Sequence, residues 1–428
     1  MKLYLFLLVV TFGLCDLTLG AVTAAGGIDG ARSDSVASGN LKTPAGPAEK
    51  PNPGSATTGK SFVLYDASID AGSGCSPYLD APIYPMSFPS PNRQDFELWF
   101  SVVSPANDGN NYWIKGHMNA AGAETSPLRV NCTPILTSPH DPDSRKYSGS
   151  QWLTGFYKQP DGYIYSIVHN EFYGGNFPHG FNFSIPSSPQ CNLGSVDGKP
   201  VNPLGCTYTS LTIAVMASGA PSFKPIANPP EHVIARPAFE FVPNVGKATG
   251  YFTNTNILKN SDGYYYAMTV DVLPDGSQRR CPIRTSDLSK PSVWRGWGGS
   301  DFTADIAKGA DCANTGFSMF PFYLGYNTFF AKFIMVGASA GHIAYALSSD
   351  LVHWSQPVSF GVTIFDPQTA DWSNNNYPSL LDPSALQQTQ DGNASSGAVS
   401  GQKTWLVFIQ HKKPQNTRAL AIPVSFSK

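Results

Sequence analysis

Charged side chains are scarce in this chain. Asp, Glu, Lys and Arg make up 14% of its 428 residues and leave a formal net charge of −2. So weak a field gives no grip on nucleic acid or on an acidic membrane surface, and a small or neutral ligand fits better. Long apolar runs are missing after the first twenty residues, which argues against a membrane span in the remainder. No Cys-x-x-Cys or His-x-His spacing offers a metal site, so no metal is expected. A GxGxxG fingerprint in a βαβ unit and an HExxH pair are absent as well, and no cofactor is expected.

What is present begins with an address. Lys2 supplies a positive start, Leu3 to Leu14 is apolar but too short to span a bilayer, and small residues follow at Gly20 and Ala21. Residues 1–21 therefore read as a secretory signal peptide that takes Cys15 with it, and the mature protein is expected outside the cell. Six cysteines remain: Cys75, Cys132, Cys191, Cys206, Cys281 and Cys312. An even number in an exported chain predicts disulfides, and proximity pairs Cys75 with Cys132, Cys191 with Cys206 and Cys281 with Cys312. Asn131, Asn182 and Asn393 head N-glycosylation sequons that a eukaryotic host would use.

Residues 22–60 are Gly, Ala, Ser, Pro and Thr with almost no aromatic residue, too little apolar surface to offset ordering entropy, and read as a flexible linker. From Ser61 the texture changes to short apolar runs punctuated by Gly, Pro, Asn and Asp, so residues 61–428 form the folded domain. Its 12% aromatic content and many glycines and prolines favour an all-β fold.

Residues 148–175 organise the reading. Trp152 to Lys158 and Tyr163 to Glu171 are two strand-like runs around Pro160-Asp161-Gly162, where Pro presets φ and Gly permits a positive one. Side chains two apart share a face, which aligns Tyr163, Tyr165, Ile167, His169 and Glu171 and sets His169 roughly 7 Å from Glu171. An offset of 101 lays this hairpin on a second copy: Thr154, Lys158, Asp161, Gly162, Tyr163 and Tyr165 fall on Thr255, Lys259, Asp262, Gly263, Tyr264 and Tyr266. A second echo pairs the Ser286-Asp287-Leu288 turn running to Trp294 with the Ser349-Asp350-Leu351 turn running to Trp354. These repeats divide the domain into five units, near residues 61–138, 148–226, 236–302, 316–365 and 374–427. A five-bladed β-propeller with a central funnel is the simplest architecture that hides the strand edges, with a β-sandwich as the alternative.

The Ser349-Asp350-Leu351-Val352-His353-Trp354 turn, the Asp-Gly-Tyr hairpins at Asp161 and Asp262, Leu79-Asp80-Ala81-Pro82 and the run Tyr377 to Pro383 resemble the five-bladed propeller glycosidases. That superfamily contains arabinanases, β-xylosidases and invertase-like enzymes. The resemblance implies carboxylates on inner strands, commonly an Asp from the first blade, a second Asp from the second and a Glu from the third. Asp80 matches the first. The opening strand of the second unit has no Asp, and Glu240 lacks the surroundings of the third.

Glycoside hydrolysis needs one carboxyl to protonate the leaving oxygen and another to attack or to activate water. Glu171 is the leading candidate, with His169 on its face to orient it; Asp80 and Asp382 follow, each adjoining a proline turn that is by itself only structural. Trp152, Tyr173, Trp372 and Tyr377 are candidates for stacking on sugar rings. The expected function is a secreted glycosidase acting on a poly- or oligosaccharide, with a non-catalytic, lectin-like carbohydrate-binding propeller as the alternative. A monomer is expected.

Overall fold

The computed structural model describes residues 53–428 except 76, 90–94, 105–109, 174–194, 197–198, 201–206, 243–244, 246, 365–374, 388–390 and 413–415. Strands dominate these residues, so the fold is all-β; helix is confined to short turns such as Pro383–Leu386 and Gly392–Ser395. No helix among the described residues is long and apolar enough to cross a membrane.

The first sheet is a meander of Met86–Pro89, Asp95–Ser104, Asn110–Asn119 and Glu124–Leu136. A ten-stranded curled sheet follows. Its first half holds the hairpin Ser150–Lys158 and Ile164–Tyr173, backed by Thr207–Met216; its second holds Thr249–Asn254, Tyr265–Val272 and Gln278–Thr285. The halves touch through one short parallel contact, Tyr208 with Thr249 and Thr209 with Gly250. Phe320–Asn327, Lys332–Ser339, His342–Ser348 and Val358–Thr363 form the next sheet, and Asn376–Leu381, Lys403–Lys412 and Asn416–Ser427 the last.

The last sheet corrects the sequence reading at the N-terminus. Ser55–Thr58, within the stretch read as linker, and Phe62–Asp66, assigned to the first unit, both pair with Asn416–Ser427. Backbone pairing needs no apolar side chain, so a Ser/Ala/Thr segment can complete a sheet whose edge would otherwise be bare.

The hairpin copies explain why strands here are buried on both faces. Every residue of Ile164–Tyr173 is buried. Tyr165 and Ile167 pack into one core cluster with Ile234 and Ile283, while Ile164 and Val168 pack into another with Trp113 and Phe156. Each sheet is thus covered by a neighbour on either side. In the Ser-Asp-Leu turn, Asp350 Oδ1 accepts from the amides of Val352 and His353, and Trp354 is buried against Phe317. That motif is structural, as its turn chemistry predicts.

Five segments meet at the centre around Tyr84. Its hydroxyl donates to the carbonyls of Asn254 and Phe322. Asn254 is bonded in turn to Thr154, whose Oγ1 donates to Asn254 Oδ1 at 2.8 Å, and Ser379 Oγ donates to the Ile83 carbonyl at 2.6 Å. Four of these segments bulge where they converge: the ladder slips between Leu153 and Phe156, Tyr251 and Thr253, Pro321 and Tyr323, and Asn376 and Ser379. A bulge re-aims the extra residue and bends its strand where these segments converge, at Thr154, Phe252, Phe322 and Tyr377. Gly155 is required in the first bulge, because a Cβ there would lie 2.7 Å from the Thr255 carbonyl oxygen.

Disulfides join Cys75 to Cys132 and Cys281 to Cys312, two of the three expected pairs; Cys191 and Cys206 lie outside the described residues. Opening the Cys281–Cys312 loop, with a sequence separation of 31, by replacing both with Ser should lower stability by about 3 kcal/mol. Urea unfolding of the variant against wild type checks this.

The sequons divide by geometry. Asn131 is exposed on its strand, whereas both ends of the Asn393 amide are bonded to the Lys259 backbone, Nδ2 donating to its carbonyl at 2.6 Å and Oδ1 accepting from its amide at 2.7 Å. A glycan on Nδ2 would break that pair. In a glycosylating host the peptide carrying Asn393 should remain unmodified, which peptide mass spectrometry after enzymatic deglycosylation in heavy-oxygen water reads directly. Asn182 lies outside the described residues.

Candidate active site

Beside Tyr84 the same converging segments present a second set of side chains. The extended segment around Asp80 precedes the first sheet; Trp152, Phe252, Phe320 and Tyr377 stand on the opening strands of the others. Phe252, Phe320, Phe322 and Tyr377 form a continuous aromatic wall with ring centroids 6.4, 5.4 and 5.6 Å apart in turn. Trp152, Phe252 and Tyr377 keep part of their surface open.

The hairpin delivers the polar groups. His169, Glu171 and Tyr173 share one face of Ile164–Tyr173, and all three are buried. Glu171 accepts on both oxygens: from His169 Nε2 to Oε1 at 2.8 Å, and from the Tyr173 hydroxyl to Oε2. The imidazole lies between Trp152 and Phe252, 6.2 and 6.0 Å from their ring centroids, and its Nδ1 is buried without a partner.

Asp80 faces this group from its own segment. Tyr377 donates its hydroxyl to Asp80 Oδ1 at 3.0 Å. Tyr377 has φ 53°, a left-handed backbone that a bulky residue adopts only when its surroundings impose it, and the bulge together with this bond supplies that constraint. Burial pushes the Asp80 carboxyl from its ordinary 3.8 up to about 7; the Tyr377 bond pulls against the shift and the charge of Glu171 adds to it. Tyr173 and Tyr377 are themselves held well above the usual phenol range by burial and by these two carboxyls, and therefore serve as donors. Tyr78, two residues before Asp80, pairs its hydroxyl with His411 Nδ1 at 3.1 Å.

Asp80, His169, Glu171, Trp152, Tyr173 and Tyr377, all singled out in the sequence, are thus brought together. Asp382 is not. It caps Pro383–Leu386, with Oδ1 accepting from the Ser384 and Ala385 amides and Oδ2 from the Gly401 amide at 2.8 Å. Trp372 lies outside the described residues. Asp271, aligned with Asn170 in the repeat, lies on the opposite face and sits 3.7 Å from Arg279, while Glu240 is exposed. The reading missed Phe252, Phe320, Phe322 and Tyr78. Only Tyr78 had a usable signal, being on the same side of an extended segment as Asp80; the Phe residues reach the wall through bulges and strand packing.

Two stretches spell catalytic motifs and neither has the structure that the chemistry needs. Gly54 to Ser61 reads GxxxxGKS, yet it forms Ser55–Thr58 in a sheet with no helix behind it to receive phosphate. Gly337 to Gly341 reads GxSxG, yet it is the end of one strand and the tight turn into the next, with Ala340 and Gly341 at φ 47° and 78°, not a strand-to-helix elbow. No group of three or more His, Cys, Asp or Glu that could hold a metal occurs among the described residues.

No protein-family model matches the chain, and no curated protein does. Solved structures similar to it include a family 117 glycoside hydrolase of the marine bacterium Zobellia galactanivorans (TM-score 0.45, 9% identity, 88% of this chain and 91% of that one covered). They also include a glycosyl hydrolase of Bacteroides ovatus (0.40, 10%, 87% and 92%) and the catalytic domain of a GH62 alpha-L-arabinofuranosidase of Coprinopsis cinerea (0.40, 9%, 86% and 97%).

Proposed function

We propose that this protein is a secreted glycoside hydrolase on a five-bladed β-propeller, with residues 1–21 removed on export. The blades would be the first sheet, the two halves of the ten-stranded sheet, the Phe320–Thr363 sheet and the last sheet closed by Ser55–Thr58 and Phe62–Asp66. Their opening strands surround the Tyr84 floor and leave a funnel above it. The observation that carries the activity is the pair Asp80 and Glu171: carboxyls from different segments, each held by a tyrosine hydroxyl and close enough for one charge to raise the other's pKa.

A carboxyl that its surroundings keep protonated takes a different role from the one beside it. Asp80 is the acid: with its pKa raised to about 7 it still holds a proton where sugars are turned over, and it delivers that proton to the glycosidic oxygen. Glu171, fixed by His169 and Tyr173, is the carboxylate that attacks the anomeric carbon or draws a proton from the attacking water. Its charge also stabilises the positive charge that develops on the sugar ring. Trp152, Phe252 and Tyr377 provide apolar faces for the ring while its hydroxyls meet the polar edge.

Incubation with neutral aryl glycosides and plant, algal and microbial polysaccharides, read as released aglycone and reducing ends, tests the reading. Turnover of at least one substrate is expected. Binding of glycans with no turnover of any would instead favour a lectin-like propeller.

A further inference from the structure

Asp80 stands on a stretch that no ladder holds: between the turn Ala67–Asp70 and the strand Met86–Pro89, the described residues join no sheet. Side chains fasten this stretch at three places. At its far end Tyr84 donates to the Asn254 carbonyl and Ser379 to the Ile83 carbonyl. Its middle is tied to the last sheet, where the Leu79 amide donates to Thr417 Oγ1 at 2.9 Å, Tyr78 pairs with His411 and Tyr377 donates to Asp80. Its near end is tied to Glu124–Leu136. There Asp70 Oδ2 accepts from the Val130 amide at 2.9 Å, and the Cys75–Cys132 disulfide makes the same connection covalent. The two disulfides differ in their access to solvent. Cys281 and Cys312 are 0% and 1% exposed within a core cluster. Cys75 is likewise buried, but Cys132 is only partly covered and lies between exposed Asn131 and Thr133. Exposed disulfides are the ones a dithiol reaches and the ones that act as controls, whereas sealed ones are structural.

We infer that the Cys75–Cys132 disulfide is a redox control of the site: closed, it holds the stretch that positions Asp80; opened, it lets that stretch move and carries the carboxyl away from Glu171. The effect on turnover rests on the glycosidase reading; the effect on the Asp80 stretch rests on the fold alone. The step is thiol–disulfide exchange with a dithiol reductant. One thiolate of the dithiol attacks Cys132 Sγ, the S–S bond breaks, and Cys75 leaves as a thiolate that takes up a proton. The second thiol of the reductant attacks the mixed disulfide and releases Cys132, so two electrons pass to the protein and the reductant ends as a cyclic disulfide. The ladder between Asn110–Asn119 and Glu124–Leu136 does not run through this bond, so the sheet persists while the stretch loosens. A displacement of about 1 Å at a reacting group is enough to cost on the order of a hundredfold in rate.

The test titrates the full chain with dithiothreitol at pH 7.5 and locates free thiols by alkylation and peptide mass spectrometry. Cys75 and Cys132 should become alkylated at reductant concentrations that leave Cys281 and Cys312 bonded. In that form amide hydrogen exchange across residues 77–85 should rise at least about tenfold while exchange in Lys332–Ser339 is unchanged. The kcat/KM on any glycoside turned over should fall at least about tenfold, and both effects should reverse on reoxidation. Cys75→Ser with Cys132→Ser should reproduce the change without reductant, and Cys281→Ser with Cys312→Ser should leave exchange across residues 77–85 at the wild-type rate. A loosened Asp80 also gains water, so the decline of kcat/KM above pH about 7 should move to lower pH, which a uniform loss of stability does not produce. Exchange across residues 77–85 that stays the same, or that rises only together with Lys332–Ser339, overturns the inference. Opening of both disulfides at one reductant concentration overturns it too, as does turnover equal in the two forms. Faster local exchange in a protein that hydrolyses no glycoside in either form leaves the hold on Asp80 standing and removes the hydrolase reading; hydrolysis that ignores the disulfide does the reverse.

Discussion

Glu171→Gln should lower kcat by about 10²–10⁴-fold on any glycoside that the wild type hydrolyses, with KM changed far less. Gln keeps the shape and one acceptor oxygen, so the bond from either His169 or Tyr173 can persist, but it has no negative charge to attack the anomeric carbon or activate water. The reading needs the loss to fall on kcat, since the missing charge matters most where positive charge develops on the sugar. Steady-state kinetics together with circular dichroism and an unfolding curve decide it: a folded variant that retains wild-type kcat removes Glu171 from the chemistry. Tyr173→Phe is the softer companion, taking one donor from Glu171 and leaving the carboxylate in place.

Asp80→Asn carries the second large effect and shows it in two ways. Activity should again fall by about 10²–10⁴-fold, because an amide cannot give the leaving oxygen a proton. The wild-type kcat/KM should decline above pH about 7, where Asp80 loses the proton it is required to donate, and the residual activity of the variant should lack that limb. Stability moves too. The folded-state pKa of Asp80 lies above its ordinary 3.8, so between pH 4 and 7 the folded protein holds a proton that the unfolded chain has released. The unfolded state then binds fewer protons, and this group's contribution falls as pH rises through the window and is level above it. Asn does not titrate. The stability of Asp80→Asn relative to wild type should therefore rise by about 1–3 kcal/mol from pH 4 to pH 8, a figure set by the size of the shift and reduced for the open part of the residue's surface. Urea unfolding at pH 4, 6 and 8 reads the difference, and a difference that does not change with pH contradicts the buried, raised carboxyl.

The sequence alone determined the local pieces, because their causes are local. Pro160-Asp161-Gly162 carries its own turn chemistry, alternation puts His169, Glu171 and Tyr173 on one face, and a duplicated pattern makes a duplicated hairpin. Texture was enough for the all-β fold, and closeness in the chain was enough to pair Cys75 with Cys132 and Cys281 with Cys312. Tertiary structure decided everything that depends on where separate segments meet. That the charge of Glu171 reaches Asp80 while Asp382 is spent capping a helix follows from packing, since both Asp80 and Asp382 are acids near prolines in the chain. Phe252, Phe322 and Tyr377 reach the centre because their strands carry one residue more than the partner strand there. A bulge is a mismatch between two strands, so neither strand's sequence records it. The same dependence empties the GxxxxGKS and GxSxG spellings of meaning, for each motif works only when the fold puts a helix behind its loop, and here sheet pairing claims both stretches. The hairpin's exit residues were legible as chemistry; that the charge of Glu171 reaches a second carboxyl was settled by the way the sheets converge.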